Sequence, residues 1–438
     1  MEWWLILLLI IGVFLVLVSI GLPVAFTFMA INLLGVYILW GGTSGFLQLV
    51  QSIYSSVILF SLLPVPLFVL MGEIMFQSGV GVRMIEALDK WIGRVPGRLS
   101  LLAIAGGTVF SALSGSAMAS AAMLGSVLVP EMRKRGYQNA MSIGPIVGSG
   151  GLAIMIPPSA LAVLLATLAR ISIGDFLMAI IFPGILMAFL YTTYVVVRCY
   201  LQPHLAPSYN VEAVSLLEKI VSTVKYILPL GLVIFLVIGL IILGVATPTE
   251  SAALGTLGCI VLAIAYGGFN RKTFISSMNG TLRVTVMMFM ILTGSTAFSQ
   301  ILAFSGATRA LVGLVIDLPL SPLLLLICMQ LILLIMGAFM EPLSIMMITL
   351  PIYMPAATAL GFHPLWFAAV ILLNMQMATT TPPFGMVLFV MKGVLPKETK
   401  MGEIYKSGIP FLFCDTVSMT LMFLFPSIVL WLPMAIKG

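Results

Sequence analysis

Charge is the scarcest resource in this sequence. Lys and Arg supply 20 residues of 438 and Asp and Glu 14, together 8%, where soluble domains carry about 25%. A chain so poor in charge cannot clothe a water-facing surface, which excludes a soluble globular protein. Cysteine is nearly absent too. Cys199, Cys259, Cys328 and Cys414 are scattered, mostly inside apolar runs, in neither a disulfide framework nor a metal-binding spacing. The two histidines, His204 and His363, stand far apart. The lack of HExxH, GxGD or any Ser/His arrangement argues against an intramembrane enzyme, and no Walker A loop supports an ATPase. The start, MEWWLILLLIIG, opens on Glu2 without a basic n-region or a small-x-small cleavage site, so it reads as a first span anchored by Trp3 and Trp4, not as a signal peptide.

What is present is apolar. Hydrophobic residues make up 61% and the mean hydropathy is +1.21, the composition of a polytopic membrane protein in which each helical crossing takes about 20 apolar residues. Apolar runs follow one another from Trp3 to Met434, so the whole length is one unit. Treating the runs at 99–130 and 322–355 as re-entrant hairpins gives ten crossings with both termini on one side. Seventeen of the 20 basic residues, in clusters at 83–98, 133–135, 198–225, 271–283 and 392–406, then share the opposite face, and only Arg170, Arg309 and Lys437 do not. The rich face is cytoplasmic by the positive-inside rule, so a net charge of +6 reports orientation, not nucleic-acid binding.

An offset of 225 pairs Pro130 with Pro355, Gly136 with Gly361, Tyr137 with Phe362, Pro157 with Pro382 and Pro158 with Pro383, without a gap. Such spacing reads as duplication. The first copy, 78–170, holds the hairpin 99–130 and a broken span 139–170; the second, 305–395, holds the hairpin 322–355 and a broken span 365–393. The remaining spans would be scaffold. The first hairpin is flanked by basic loops and the second by nearly uncharged ones, so the copies are expected to sit inverted in the membrane, a build common among secondary transporters.

Each copy interrupts its apolar runs twice: SALSGSAMAS (111–120) then GPIVGSGG (144–151) with IPPS (156–159), and GAFMEPLS (337–344) then NMQMATTTPPFG (374–385). Irregular backbone at membrane depth is tolerated only where protein buries it or a watery cavity receives it. Four interruptions suggest a cavity. Thr381-Pro382 and Pro157 read as restarts of half-helices, whose free N–H groups suit an anion, while the carbonyls of the preceding halves suit a small cation. Ser114, Ser116, Ser149, Asn374 and Thr379, Thr380 and Thr381 add neutral oxygens, and Gly115, Gly148 and Gly150 bare backbone. Ser116, Ser159, Thr380, Thr381 and Pro382 form the expected solute-facing set.

These motifs, together with RKRGY, TPTESAALG and MEPLSIMMITLPIYMP, occur in an order that resembles the large membrane subunit of TRAP (tripartite ATP-independent periplasmic) transporters over nearly the whole chain. The resemblance implies an all-α, elevator-type inner-membrane carrier with a scaffold and a mobile two-hairpin domain, both termini being periplasmic. No cofactor is implied beyond sodium as coupling ion. One sodium site would use Ser114, Gly115 and Ser116 with Gly148, Ser149 and Gly150; the other Met340, Glu341 and Ser344 with Asn374, Thr379, Thr381 and Pro382. Glu341 stands where an aspartate is expected. The implied cargo is a carboxylate-type organic anion, and the implied partners are a separately encoded four-helix membrane subunit and a periplasmic substrate-binding protein. A binding-protein-independent sodium/carboxylate carrier is the competing reading.

The other acids read as structural. Thr247-Pro248-Thr249-Glu250 has the spacing of a capping box, and Glu73 and Asp415 are expected near the cytoplasmic ends of their spans. Pieces at 82–98, 209–222 and 397–407 are expected as interfacial helices.

Overall fold

The computed structural model describes residues 3–40, 42–93, 95–209 and 214–437. Glu2, Arg94 and residues 210–213, on which parts of the start, of the charge count and of one expected surface helix rest, lie outside them. So does the side chain of Trp3. Among the described residues all regular structure is helical, the form that satisfies every backbone polar group within one segment in lipid. Seven helices are long and apolar enough to cross a membrane, eight if the bent pair Asn139–Met155 and Ala160–Leu168 counts as one span. Shorter apolar helices, among them Val24–Leu39 and Pro364–Thr380, add to these.

Proline and small hydroxyl residues set the helix starts. Pro64, Pro248, Pro322, Pro342 and Pro364 occupy first-turn positions, where the missing N–H removes no bond. Thr247 and Glu250 form the expected reciprocal box: Thr247 Oγ1 accepts from the Glu250 N–H at 3.3 Å and the Glu250 carboxylate accepts from the Thr247 N–H at 2.8 Å.

The first hairpin is Arg98–Ser114 and Ala117–Lys134; the second is Pro322–Gly337 and Pro342–Ala359. At 1.5 Å per residue the 18-residue arms Ala117–Lys134 and Pro342–Ala359 each run about 27 Å, and Pro342–Ala359 is by length and composition a spanning candidate. Both hairpins leave through the same reversal: Gly136 (φ +78°) and Gly361 (φ +83°) take the left-handed conformation that favours glycine. The amides of Tyr137 and Phe362 donate back to Met132 and Ala357, each at 3.0 Å.

The broken spans are Gly144–Met155 with Ala160–Leu168, and Pro364–Thr380 with Met386–Val394. Pro157-Pro158 and Pro382-Pro383, inside the two breaks, are both joined by cis peptide bonds. Small residues let these elements approach closely: a Cβ at Gly107 would lie 2.6 Å from Ser149, one at Gly148 2.5 Å from Phe411, and one at Gly337 2.5 Å from the Ala378 methyl. Ile181–Leu201 and Met401–Leu424 complete this group, while Val24–Leu39, Thr43–Val57, Pro64–Gln77, Pro248–Ala265 and Arg271–Phe304 pack on one another beside it. The expected surface helix at 397–407 is not separate, because Met401–Leu424 runs without interruption from loop to span.

Candidate functional site

The two groups of helices meet at a cavity of about 150 Å³. One wall is the first hairpin tip, Ser114 to Ala119, with Ala160 and Leu161 opening the half-helix after the first break. Glu341, Pro342 and Leu343 of the second tip, with Thr379 and Met386 from either side of the second break, form the next. Val69, Gly72 and Glu73 of Pro64–Gln77 and Val284, Met287 and Met288 of Arg271–Phe304 close it. All four interruptions therefore reach one space.

The first tip turns at Gly115, whose φ of +56° explains glycine there. Ser116 caps the second arm, its Oγ accepting from the Ala119 N–H at 3.3 Å. Ser114 is buried and its hydroxyl lies 3.0 Å from that of Ser120. Behind the tip, Gly72 fits against the Ser114 carbonyl so closely that any Cβ there would overlap it.

The expected break at Gly148, Ser149 and Gly150 is overturned. All three lie inside the continuous helix Gly144–Met155. The glycines are contact points instead: Gly144 and Gly148 receive the Phe411 ring and Gly150 faces Ala117 and Ala121. The Ser149 carbonyl accepts from the Ser111 hydroxyl at 3.4 Å.

The restarts also lie later than expected. The half-helices begin at Ala160 and Met386, not at Pro157 and Pro382. Ser159 is the N-cap of the first, accepting from the Ala162 N–H at 3.3 Å while fully buried. Thr381 ends the preceding half, its backbone extended and its hydroxyl donating back to the Met377 carbonyl at 2.7 Å. Thr380 donates to the same carbonyl at 3.1 Å. Of the expected solute-facing set only Ser116 lines the cavity; Ser159, Thr380, Thr381 and Pro382 do not.

At the second tip Glu341 reaches the cavity, and its Oε1 accepts from the Ser344 hydroxyl at 3.2 Å. Met340 and Ser344 flank the lining without joining it, and Asn374 lies deeper, its Nδ2 donating to the Gln330 side chain at 3.0 Å and backbone at 2.8 Å. Asn374 Oδ1 is buried without a partner, a spare hard acceptor of the kind a small cation uses. The lining offers carboxylate, hydroxyl and backbone oxygens and contains no Lys, Arg or His, a donor set that fits a hard cation.

Sequence reasoning missed the cavity role of one acid and misplaced another. Glu73 is a cavity residue, close beside Gly280, where a Cβ would meet its carboxyl carbon at 2.5 Å. Asp415 is fully buried mid-helix, because its helix begins at Met401, well before the apolar run does. Gly72 and the methionines 287 and 288 were missed outright, since nothing distinguishes them from packing residues until the fold brings them to the cavity.

Comparison with known proteins gives the same architecture a context. The family model described as "Tripartite ATP-independent periplasmic transporter, DctM component" matches residues 11–428. The C4-dicarboxylate TRAP transporter large permease protein DctM of Pseudomonas aeruginosa is 30% identical over 377 residues, 85% of this chain and 86% of that protein. The ectoine TRAP transporter large permease protein TeaC of Halomonas elongata is 27% identical over 418 residues, 95% of this chain and 96% of that protein. Among solved structures, the Alcanivorax borkumensis YdaH transporter, of unusual topology, superposes with a TM-score of 0.61 at 15% identity over 90% of both chains, a likeness of fold.

Proposed function

This chain belongs to the tripartite ATP-independent periplasmic transporter family, as its DctM component, and we propose that it is the permease of a sodium-coupled importer of a carboxylate-bearing organic solute. In this reading a periplasmic binding protein delivers the solute, a small membrane subunit braces the scaffold, and the hairpins with their broken spans move as an elevator in the bacterial inner membrane. The copies 78–170 and 305–395 would sit inverted, with both termini periplasmic.

The observation that supports it most is the convergence of both hairpin tips and both post-break helix starts on one cavity, against helices of the other group. Helix starts after the breaks carry unpaired N–H groups suited to a carboxylate. The Ser114, Glu341 and Thr379 oxygens suit Na⁺, which would supply positive charge to hold an anion among carboxylates. Relatives named for a C4-dicarboxylate and for ectoine are consistent with a carboxylate as the shared group.

The test is uptake into proteoliposomes holding this chain and its small subunit, using the ligand found by screening the cognate binding protein. Uptake should require both an inward sodium gradient and the binding protein, and Ser114→Ala or Thr379→Val should abolish it while the protein remains in the membrane. Uptake driven equally by potassium would end the sodium assignment. Uptake with the binding protein omitted would favour the self-sufficient carrier.

A further inference from the structure

Three helices from distant parts of the chain meet at one buried carboxylate. Asp415 of Met401–Leu424 accepts the Tyr191 hydroxyl on Oδ1, and on Oδ2 it accepts Gln376 Nε2 at 3.1 Å. Gln376 Nε2 also lies 3.2 Å from the Tyr191 hydroxyl. All three side chains are fully buried, and none of these bonds involves a Lys, Arg or His. A carboxylate inside a membrane protein is costly and kept for a purpose. This one does not line the cavity, so its effect there must pass through a neighbour.

That neighbour is Gln376. The Gln376 amide presents its nitrogen to Asp415 Oδ2, which turns its oxygen the other way. There the Thr379 hydroxyl lies 3.4 Å from Gln376 Oε1 and donates to the Gln376 carbonyl at 2.7 Å. With its proton committed inward, the Thr379 oxygen has its remaining lone pairs free for the cavity it lines. The first broken span holds the arrangement from the other side. A Cβ at Gly151 would overlap Gln376 Oε1. Phe411, one turn before Asp415, fills the space over Gly144 and Gly148 and meets the Tyr191 ring edge-on, centroids 5.2 Å apart at 71°.

We propose that Asp415 is a positioning residue for cation binding at the second break, acting through Gln376 on Thr379. The inference rests on the reading that the cavity takes sodium. Residues that orient metal ligands in this indirect way commonly change affinity by about 10- to 100-fold when altered.

The experiment needs no solute. The purified chain with its small subunit is titrated with NaCl at constant ionic strength against choline chloride, and the thermal unfolding midpoint is followed. The wild type should be stabilised saturably by sodium. Asp415→Asn, which lets the Gln376 amide turn either way, should raise the half-saturating sodium concentration about 10-fold with little change of midpoint in choline. Tyr191→Phe, which removes one hydroxyl and keeps the ring packing, should raise it less, and Asp415→Glu should recover part of the loss. Variants that melt lower in choline yet keep wild-type sodium affinity would overturn the positioning role and leave a structural one. A wild type indifferent to sodium would overturn the cation reading itself, and the positioning role with it.

Discussion

Gly72 and Ser114 touch across the boundary between the two groups of helices: the α-carbon of one faces the backbone carbonyl of the other with no room for a methyl group. Gly72→Ala must therefore push the first hairpin tip away from Pro64–Gln77 or distort it, at a cost of about 1–3 kcal/mol typical of overpacking. Uptake should fall by about 5- to 150-fold, 1.4 kcal/mol being a factor of ten. Wild-type uptake by this variant would mean that the tip does not rest there during transport.

Ser159 caps the half-helix after the first break from a fully buried position. Ser159→Ala leaves the Ala162 N–H without its acceptor and should destabilise the protein by about 1 kcal/mol, read as a lower unfolding midpoint. Because Ser159 does not line the cavity, the solute concentration for half-maximal uptake should change less than with Ser116→Ala.

Phe411 occupies the groove that Gly144 and Gly148 leave open. Gly148→Ala should lower the unfolding midpoint by the overpacking cost above, and combining it with Phe411→Leu should restore part of the loss. A double variant as unstable as the sum of the singles would show that the two positions do not share one space.

Orientation can be read from one matched pair. Lys134 and Ala359, 225 positions apart, are exposed at the ends of corresponding hairpin arms. In a background free of the four native cysteines, Lys134→Cys should react with an impermeant thiol reagent only from the cytoplasm and Ala359→Cys only from the periplasm. Reaction of both from one side would end the inverted arrangement.

Much of this site was legible in the sequence wherever a residue's chemistry admits one role at a given spacing. Paired prolines interrupt apolar runs, Ser-Gly-Ser between two runs turns a chain, and Thr-Pro-Thr-Glu caps; the interruptions, the turn and the cap are found where expected, though the helices resume a few residues after the prolines. Glycine was ambiguous. Gly148 could unwind a helix or admit a neighbour, and the Phe411 ring that it admits comes from more than 250 residues later in the chain. Asp415 was misread because the depth of a charge depends on where its helix begins, and Met401–Leu424 starts among polar residues that resembled a surface segment. Gln376 carried no signal of its own, since an amide beside Thr379 acquires meaning only from the carboxylate that Met401–Leu424 brings to it.

Glu73 and Glu341 look into the same cavity with no basic side chain to balance them. A negatively charged cargo arriving alone would meet two carboxyl groups and no cationic side chain in the lining, so any charge those carboxyls carry would repel it the more as water is displaced. In the proposed sodium-coupled reading, arrival would be ordered, metal ions first and cargo second. Raising external sodium should then lower the cargo concentration needed for half-maximal flux more than it raises the ceiling of that flux, and a cell short of sodium would lose its grip on dilute cargo before it loses its capacity for abundant cargo.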